Sequence, residues 1–427
     1  MELKEIDSKQ FDEFVLNSNK PHFMQTSAWA DVSKTRDYIP HLLGLFNEKE
    51  LIGTALLLEK KILIYSTYYC PRGFILDYAN KEILETMIEE LKKYVKKNNG
   101  LYFKINPDLI IAKLDDNATR KEIYQDNFDL IDYLKKKGGT FRGFTNKFVE
   151  SSAPRFTFRV DISKSKEDIF NSLHNTTKKI IKENNPYKIE ITKNDKNALN
   201  DFYKVMKETS IRKKLYIEPF SYFENFYNLL HQKNEADIYV ASVNTNDLKK
   251  IFIDKENKVN EEINEVSNRP DGQKKENKLK DLEQKKNKIL KLKKEVDNLK
   301  EERIVLSSII TAKFADKVWT IHGGNSDNLL FLNANYELYY HILLDSKENG
   351  FKWVDFYGSE GKVNKNSEIY GIYLFKLRFG GDFDEFIGEF DFVTKPFMNK
   401  IIGTLLKIRR RILYKKSLRE VNKWLKN

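Results

Sequence analysis

The hydrophobic pattern of the chain changes period several times, and one succession occurs twice. Residues 41–46 read as a strand, the polar tetrad 47–50 as a turn, and residues 51–69 as two apolar strands with Glu59, Lys60 and Lys61 marking the bend. Cys70-Pro-Arg-Gly73 interrupts that pattern. Over residues 81–97 the positions Ile83, Met87, Leu91, Tyr94 and Val95 recur at helical spacing, and Asn98-Asn-Gly100 supplies a C-cap. A strand over 101–105 then ends at Asn106-Pro-Asp108. The same order returns later: a strand at 237–243, a pair over 304–321 bent at Asp316-Lys317, a break at His322-Gly-Gly324, a helix over 333–347 closed by Asn349-Gly350, and a strand at 351–356 ending at Tyr357-Gly358. Gly100 to Asp108 and Gly350 to Gly358 are both eight residues. Helical segments precede each copy, at 8–32 for the first and at 166–184 and 196–230 for the second. Two mixed α/β units of one design are the simplest consequence.

Where the first copy has a four-residue turn, the second has an interruption over 247–303. Phe252, Val259, Ile263 and Val266 keep a helical rhythm, Ser267-Asn-Arg-Pro-Asp-Gly272 is a turn, and Leu279, Leu282, Lys286, Ile289, Leu292, Val296 and Leu299 resume it. An antiparallel helical hairpin inserted in a β-turn is predicted, its longer arm reaching about 45 Å at about 1.5 Å per residue. A strut for dimerisation would have this pattern. Lys285, Lys286, Lys288, Lys291, Lys293 and Lys294, with no acid among them, would also suit a phosphate backbone.

Charge follows these boundaries. The 427 residues carry a formal +12, of which residues 395–427 supply +10, residues 247–304 supply +3, and the remainder −1. The body is near neutral and two segments carry the excess. Cys70 is the only cysteine, so no intrachain disulfide can form, which fits a reducing cytoplasm. The N-terminal residues have no basic stretch leading into an apolar run, so a secretory signal is not expected. No apolar run approaches the roughly 20 residues needed to cross a bilayer.

The common catalytic signatures are absent: no GxSxG elbow, no Walker loop, no HExxH, and six scattered histidines without metal-ligand spacing. No metal and no cofactor are expected. The α/β order resembles the acetyltransferase (GNAT) unit, but both copies lack its acyl-CoA pyrophosphate loop.

Six motifs in order carry a second, longer resemblance. Gln25-Thr-Ser-Ala-Trp29, Cys70-Pro-Arg-Gly73, Phe103-Lys-Ile-Asn-Pro-Asp108, Glu208-Thr-Ser-Ile-Arg212, Asp355-Phe-Tyr-Gly358 and the run from Gly371 to Gly380 together resemble the FemABX aminoacyltransferases, over nearly the whole chain. The hairpin resembles the coiled-coil arm of the longer members. The resemblance implies an α+β fold of twin GNAT-like units: 1–152 with 385–427, and 153–246 with 304–384, the arm being 247–303. It implies an aminoacyl-tRNA donor and, as acceptor, an amine on the stem peptide of lipid II or UDP-MurNAc-pentapeptide. It also implies a cytoplasmic enzyme, at most peripheral at the inner face of the plasma membrane. The donor ester stores the driving force, so no ATP site is needed.

By the same resemblance Lys376 stabilises the oxyanion, a role a cation suits, although a solvent-facing strand lysine would read alike. Phe375 packs against the terminal adenine of tRNA or belongs to the core. Asp108 takes the amine proton or caps a helix that follows it. Lys34 and Arg212 match positions that hold the precursor's phosphates, with Tyr216 beside Arg212 if the helix continues. An exposed basic surface would read the same way. Arg72 is structural or substrate-facing, and Trp29 is core. His322 stands where the family's loop has a tyrosine-like residue, so no stacking role carries over to it. The last segment, 396–427, opens on Pro396 and alternates an apolar face (Phe397, Ile401, Leu405, Ile408, Ile412) with bases. It suits an anionic membrane, tRNA, or plain packing on the first unit. Two other classes remain open on the sequence: a CoA-dependent GNAT-type N-acyltransferase and a non-enzymatic tRNA- or membrane-binding scaffold. The oligomeric state, monomer or oligomer, is open as well.

Overall fold

The structure, a computed structural model, describes residues 1–213, 216–367 and 369–405. The chain divides into two compact units, one of residues 1–157, 358–362 and 383–427, the other of residues 158–357 and 363–382.

The first unit begins with β1 (Glu2–Glu5), α1 (Ser8–Leu16) and α2 (Ser27–Lys34). Then come β2 (Ile39–Asn47), β3 (Glu50–Ile62), β4 (Tyr65–Cys70), α3 (Lys81–Lys97) and β5 (Gly100–Ile105), the order expected. They are followed by β6 (Ile110–Leu114), β7 (Arg120–Ile123), α4 (Gln125–Lys136) and β8 (Gly139–Phe141). The β3–β4 bend falls at Leu63-Ile64 and not at the charges, because the polar residues keep partners within the strands. Glu59 accepts from the Ser66 hydroxyl at 2.6 Å and meets His41 Nε2 at 2.9 Å. Helix α3 is capped by the Asn80 side chain, which accepts from the Glu82 and Ile83 amides, and buries Leu84, Met87, Ile88, Leu91 and Val95. That face is rotated slightly from the expected one, leaving Ile83 and Tyr94 at its flanks. Asn99, not Gly100, takes the left-handed conformation after it. Gly100 is needed for space, since a Cβ there would meet the Val95 side chain.

The second unit holds β9 (Phe156–Asp161), α5 (Lys166–Ser172), α6 (Asn175–Asn184), β10 (Glu190–Lys193), α7 (Ala198–Lys213), α8 (Phe220–His231) and β11 (Ala236–Asn244). The hairpin follows directly as α9 (Thr245–Ser267) and α10 (Gln273–Asp297). Then come β12 (Arg303–Phe314), β13 (Lys317–Asn325), α11 (Ala334–Glu348), β14 (Trp353–Asp355) and α12 (Tyr370–Leu377). The sheet order in this unit is β10-β11-β12-β13-β14-β9. β13 absorbs the expected His322-Gly-Gly break through a bulge opposite Ile310/Thr311. The hairpin springs from the Asn244–Arg303 pair at the end of the β11–β12 ladder. Val259, Val266 and Leu282 form its buried seam with Ile263, Leu279 and Ile289 against them. At 25 residues α10 is about 37 Å long, shorter than the sequence suggests, because it ends at Asp297.

The chain then re-enters the first unit as β15 (Asp382–Phe386) and β16 (Phe390–Val393). β16 inserts between β5 and β8, completing the order β1-β2-β3-β4-β5-β16-β8. Within each unit the repeated segment contains one parallel pairing, β4 with β5 and β13 with β14. The helix between the paired strands, α3 or α11, is the crossover that makes a parallel pairing possible. Residues 396–405 are helical, beginning at Pro396 as the sequence suggests; the rest of the expected basic segment, 406–427, lies outside the described residues. No helix of the described residues is long and apolar enough to cross a membrane.

Candidate active site in the second unit

The parallel pairing of β13 with β14 covers only three residue pairs, Lys317–Trp353 to Trp319–Asp355. Beyond it β13 runs on to Asn325 while the other chain leaves as Phe356-Tyr357. A cleft of about 410 Å³ opens there, lined by Arg212, Tyr216, Gly323, Tyr339, Phe375 and Lys376, among others. Parting parallel strands expose carbonyl and amide groups toward one space, and such clefts are where α/β sheets bind ligands.

Lys376 lies on helix α12, not on a strand, and is buried at 8% exposure. Its Nζ donates to the carbonyls of Phe356 and Tyr357, both at 2.6 Å. Tyr357 has φ +38, an unusual conformation for a residue with a side chain, and the ammonium grips the two carbonyls at that kink. Burial lowers the Lys376 pKa to about 8, against the opposing pull of Asp355. At neutral pH the side chain is therefore still mostly a cation, poised beside the cleft. Asp355 is itself buried and accepts from the Tyr357 amide at 2.7 Å.

Phe375 is half-buried, its ring in edge contact with Tyr336 and Tyr339, each at 4.8 Å between centroids. The ring thus has an aromatic cluster on one side and lines the cleft on the other. Arg212 lies in the last turn of α7, where it pairs with Asp327 and donates to the Asn325 carbonyl at 3.3 Å. Its helix is pinned to the end of β13 by two further residues of the same motif. Glu208 accepts from the Ser326 hydroxyl at 2.7 Å, and the Thr209 hydroxyl donates to the Asn325 carbonyl at 2.9 Å. Gly324 permits that approach, because a Cβ there would press on the backbone of Val205 and Met206. Tyr216 does not continue α7; it lies past the helix end at Lys213, 81% exposed, and still lines the cleft.

Sequence reasoning missed Tyr339. Burial pushes its phenol up to about 12, so it stays protonated and available as a donor within the cleft. The signal was the aromatic run Tyr336, Tyr339 and Tyr340 on the helix that crosses from β13 to β14. His322, by contrast, is held among Tyr222, Phe223 and Phe226, at 5.1–5.7 Å between rings.

The other expected site residues belong to the first unit or the hairpin. Lys34 ends α2 and is exposed, paired with Asp31 at 2.8 Å. Asp108 is half-buried between β5 and β6; since β6 is a strand, the expected helix for it to cap does not exist. Arg72 is buried at 4% exposure, donates to the Pro154 carbonyl at 2.8 Å and stacks over the Phe386 ring at 4.3 Å. It fills the end of the β4–β5 pair, so where the second unit has a cleft the first has a space of only about 10 Å³. Two motifs meet beside it: Gln25 Nε2 donates to the Pro71 carbonyl at 2.6 Å, and its Oε1 accepts from the Leu56 amide at 2.9 Å. On the hairpin, Lys285 pairs with Glu262 at 2.9 Å and Lys293 with Glu256 at 2.5 Å. Lys288, Lys291 and Lys294 are exposed, whereas Lys286 is half-buried.

Comparison with known proteins now decides the family. A model of the FemAB family matches residues 6–407. The chain belongs to the FemAB family. It is 26% identical over 422 residues to the lipid II:glycine glycyltransferase of Staphylococcus aureus strain MRSA252, covering 94% of this chain and 95% of the relative. The protein of strain NCTC 8325 gives the same identity and coverage. The crystal structure of FemX superposes with a TM-score of 0.75 at 25% identity, over 94% of this chain and all of that one. This FemAB protein therefore shares the fold of FemX, here two mixed α/β units with an inserted helical hairpin, and it is an acyltransferase.

Proposed function

We propose that this FemAB protein moves an aminoacyl group from aminoacyl-tRNA to an amine of the stem peptide of lipid II, building the interpeptide bridge of peptidoglycan. The observation that carries the reading is a mostly protonated, buried lysine beside the open end of a parallel strand pair. The glycyltransferase activity named for its relatives supports the acceptor class.

In this reading the acceptor amine attacks the ester carbonyl carbon, and the carbonyl oxygen becomes an oxyanion. The tetrahedral centre collapses, the C–O bond to the ribose breaks, and an amide remains. One proton leaves the amine and one reaches the ribose oxygen, so the balance needs no further reactant. Lys376 supplies positive charge to the oxyanion in a water-poor site, where such charge is worth most. Tyr339 adds a neutral donor. Phe375 offers a face for the terminal adenine, and Arg212 with Tyr216 a fork and an edge for phosphate or sugar. Lys288, Lys291 and Lys294 present the exposed charge of the arm to tRNA.

The test is transfer of label from a panel of aminoacyl-tRNAs to lipid II or to the nucleotide-linked precursor. Labelled lipid with one donor supports the reading and identifies the residue. No transfer from any aminoacyl-tRNA, or transfer from an acyl-CoA, would sink it.

A further inference from the structure

The β3–β4 connection breaks a local rule. Two-residue hairpin turns are normally built from Asn-Gly or a glycine pair, because one or both residues need positive φ. Here Ile62 pairs with Tyr65 and the turn is Leu63-Ile64. Leu63 takes φ +58, which costs a β-carbon residue about 1 kcal/mol. The two side chains are 83% and 79% exposed. Strain and exposed hydrocarbon at one turn are the mark of a functional tip and not of a folding device.

A second feature stands at the same end of the sheet. Lys395 Nζ lies 5.3 Å above the Tyr65 ring and donates to the Asn99 side chain at 2.8 Å. Lys395 immediately precedes helical residues 396–405. On that helix Phe397, Ile401 and Leu405, spaced by four, are 76%, 38% and 53% exposed, while Ile402 on the other side is buried. Residues four apart share a helix face, so these three make an outward apolar stripe. The turn and the stripe begin within two residues of the Tyr65–Lys395 contact. Lysines flank these elements along the chain: Lys61 lies two residues before the turn, Lys96 and Lys97 close α3 just ahead of Asn99, and Lys400 stands on the helix next to Ile401. The nearby Asp37 is engaged by Lys60. An apolar tip flanked by lysines is complementary to one surface, a bilayer with anionic headgroups, where hydrocarbon enters the acyl region and each base gains about 1 kcal/mol.

We infer that the Leu63-Ile64 turn is a membrane-inserting tip which, with the Phe397–Ile401–Leu405 stripe, docks the first unit on an anionic bilayer. This goes beyond the proposed reaction and does not depend on it. A protein that draws a lipid-carried acceptor from the bilayer surface would gain from being held there.

The experiment uses the full chain with Leu63→Cys carrying an environment-sensitive nitrobenzoxadiazole probe. Cys70 is fully buried, so labelling falls on the new cysteine. With phosphatidylglycerol-containing vesicles the probe emission shifts to the blue and gains intensity; with phosphatidylcholine alone, or in high salt, it does not. In the unlabelled chain, Leu63→Ser with Ile64→Ser lowers sedimentation with anionic vesicles about tenfold, with an unchanged thermal melt because both side chains are exposed. Three outcomes overturn the inference. One is no sedimentation with anionic vesicles. Another is sedimentation while the probe stays in water, which would assign binding to residues 406–427. The third is a probe already blue-shifted in buffer, meaning that this chain's own tail or a second copy covers the tip. No donor or acceptor is present, so failure here leaves the proposed reaction untouched.

Discussion

The most discriminating consequence of the structure concerns the charge of Lys376. Its pKa falls from 10.5 to about 8 because the side chain is buried, and Asp355 recovers only part of the loss. If the ammonium stabilises the oxyanion, its removal in Lys376→Met costs about 10²–10³ in turnover at pH 7, or about 3–4 kcal/mol of transition-state stabilisation. The acceptor amine and the donor ester titrate as well, so a raw pH profile mixes three groups. The ratio of wild-type to Lys376→Met rates cancels what the two proteins share. That ratio stays constant below about pH 8 and falls about tenfold per pH unit above it, as the lysine loses its proton. The assay is single-turnover transfer from labelled aminoacyl-tRNA, quenched early enough that hydrolysis of the ester in alkali is small. Replacing Asp355 by Asn removes the group that raises the lysine pKa, so the break moves to lower pH. A ratio that stays flat to pH 9.5, or a Lys376→Met protein with unaltered turnover, would refute the oxyanion role.

Further outcomes follow from the same coordinates. The unfolded chain binds the Lys376 proton more tightly than the folded one between pH 8 and 10.5, so stability rises with pH across that window. The advantage of Lys376→Met over wild type in urea, read from Trp319 and Trp353 in the second unit, is therefore about 3 kcal/mol larger at pH 7 than at pH 10.5. Gly380→Ala destabilises that unit by more than about 2 kcal/mol in the same assay, because Gly380 has φ +70 and a Cβ there would collide with the Ser172 carbonyl. In the first unit Glu385 is buried between Arg155, at 2.5 Å, and a bidentate Arg120, at 2.7 and 2.8 Å. Burial alone would raise its carboxyl, but the two arginines hold it below the usual range; Glu385→Ala should cost about 3–5 kcal/mol in thermal or urea unfolding, since it strands a buried guanidinium. On the hairpin, joint replacement of Lys288, Lys291 and Lys294 by Ala should weaken tRNA binding and lower the salt slope by about 2–3, as phosphate contacts do. Replacing Lys285 and Lys293, which are tied to Glu262 and Glu256, should change the slope less.

Much of the fold was legible because it is written in periodicity. The alternation and helical spacing of the two copies, and the Asn-Gly closure at Asn349-Gly350, are local properties that the tertiary structure kept. Where structure and local pattern differ, a partner distant in sequence is responsible. By local pattern Glu59 marks a bend, yet it stays in β3 because His41 and Ser66 satisfy it. Lys376 had a strand lysine as its alternative, yet it sits on a helix and reaches carbonyls 19 and 20 residues away. The motifs nominate site residues only by resemblance; in the structure Gln25 and Cys70-Pro-Arg-Gly73 meet each other, and Arg72 is spent on Pro154 and Phe386.

Sequence by itself determined the twin α/β design, the place and seam of the hairpin, and the concentration of charge in two segments. Each depends on neighbours within a few residues or on composition. Only the tertiary structure decided which end of a parallel strand pair is open, that Lys376 is dehydrated and gripping two carbonyls, and that the turn at Leu63-Ile64 is bare. Burial and proximity depend on which distant segments pack together, and a linear pattern of residues carries no direct record of that.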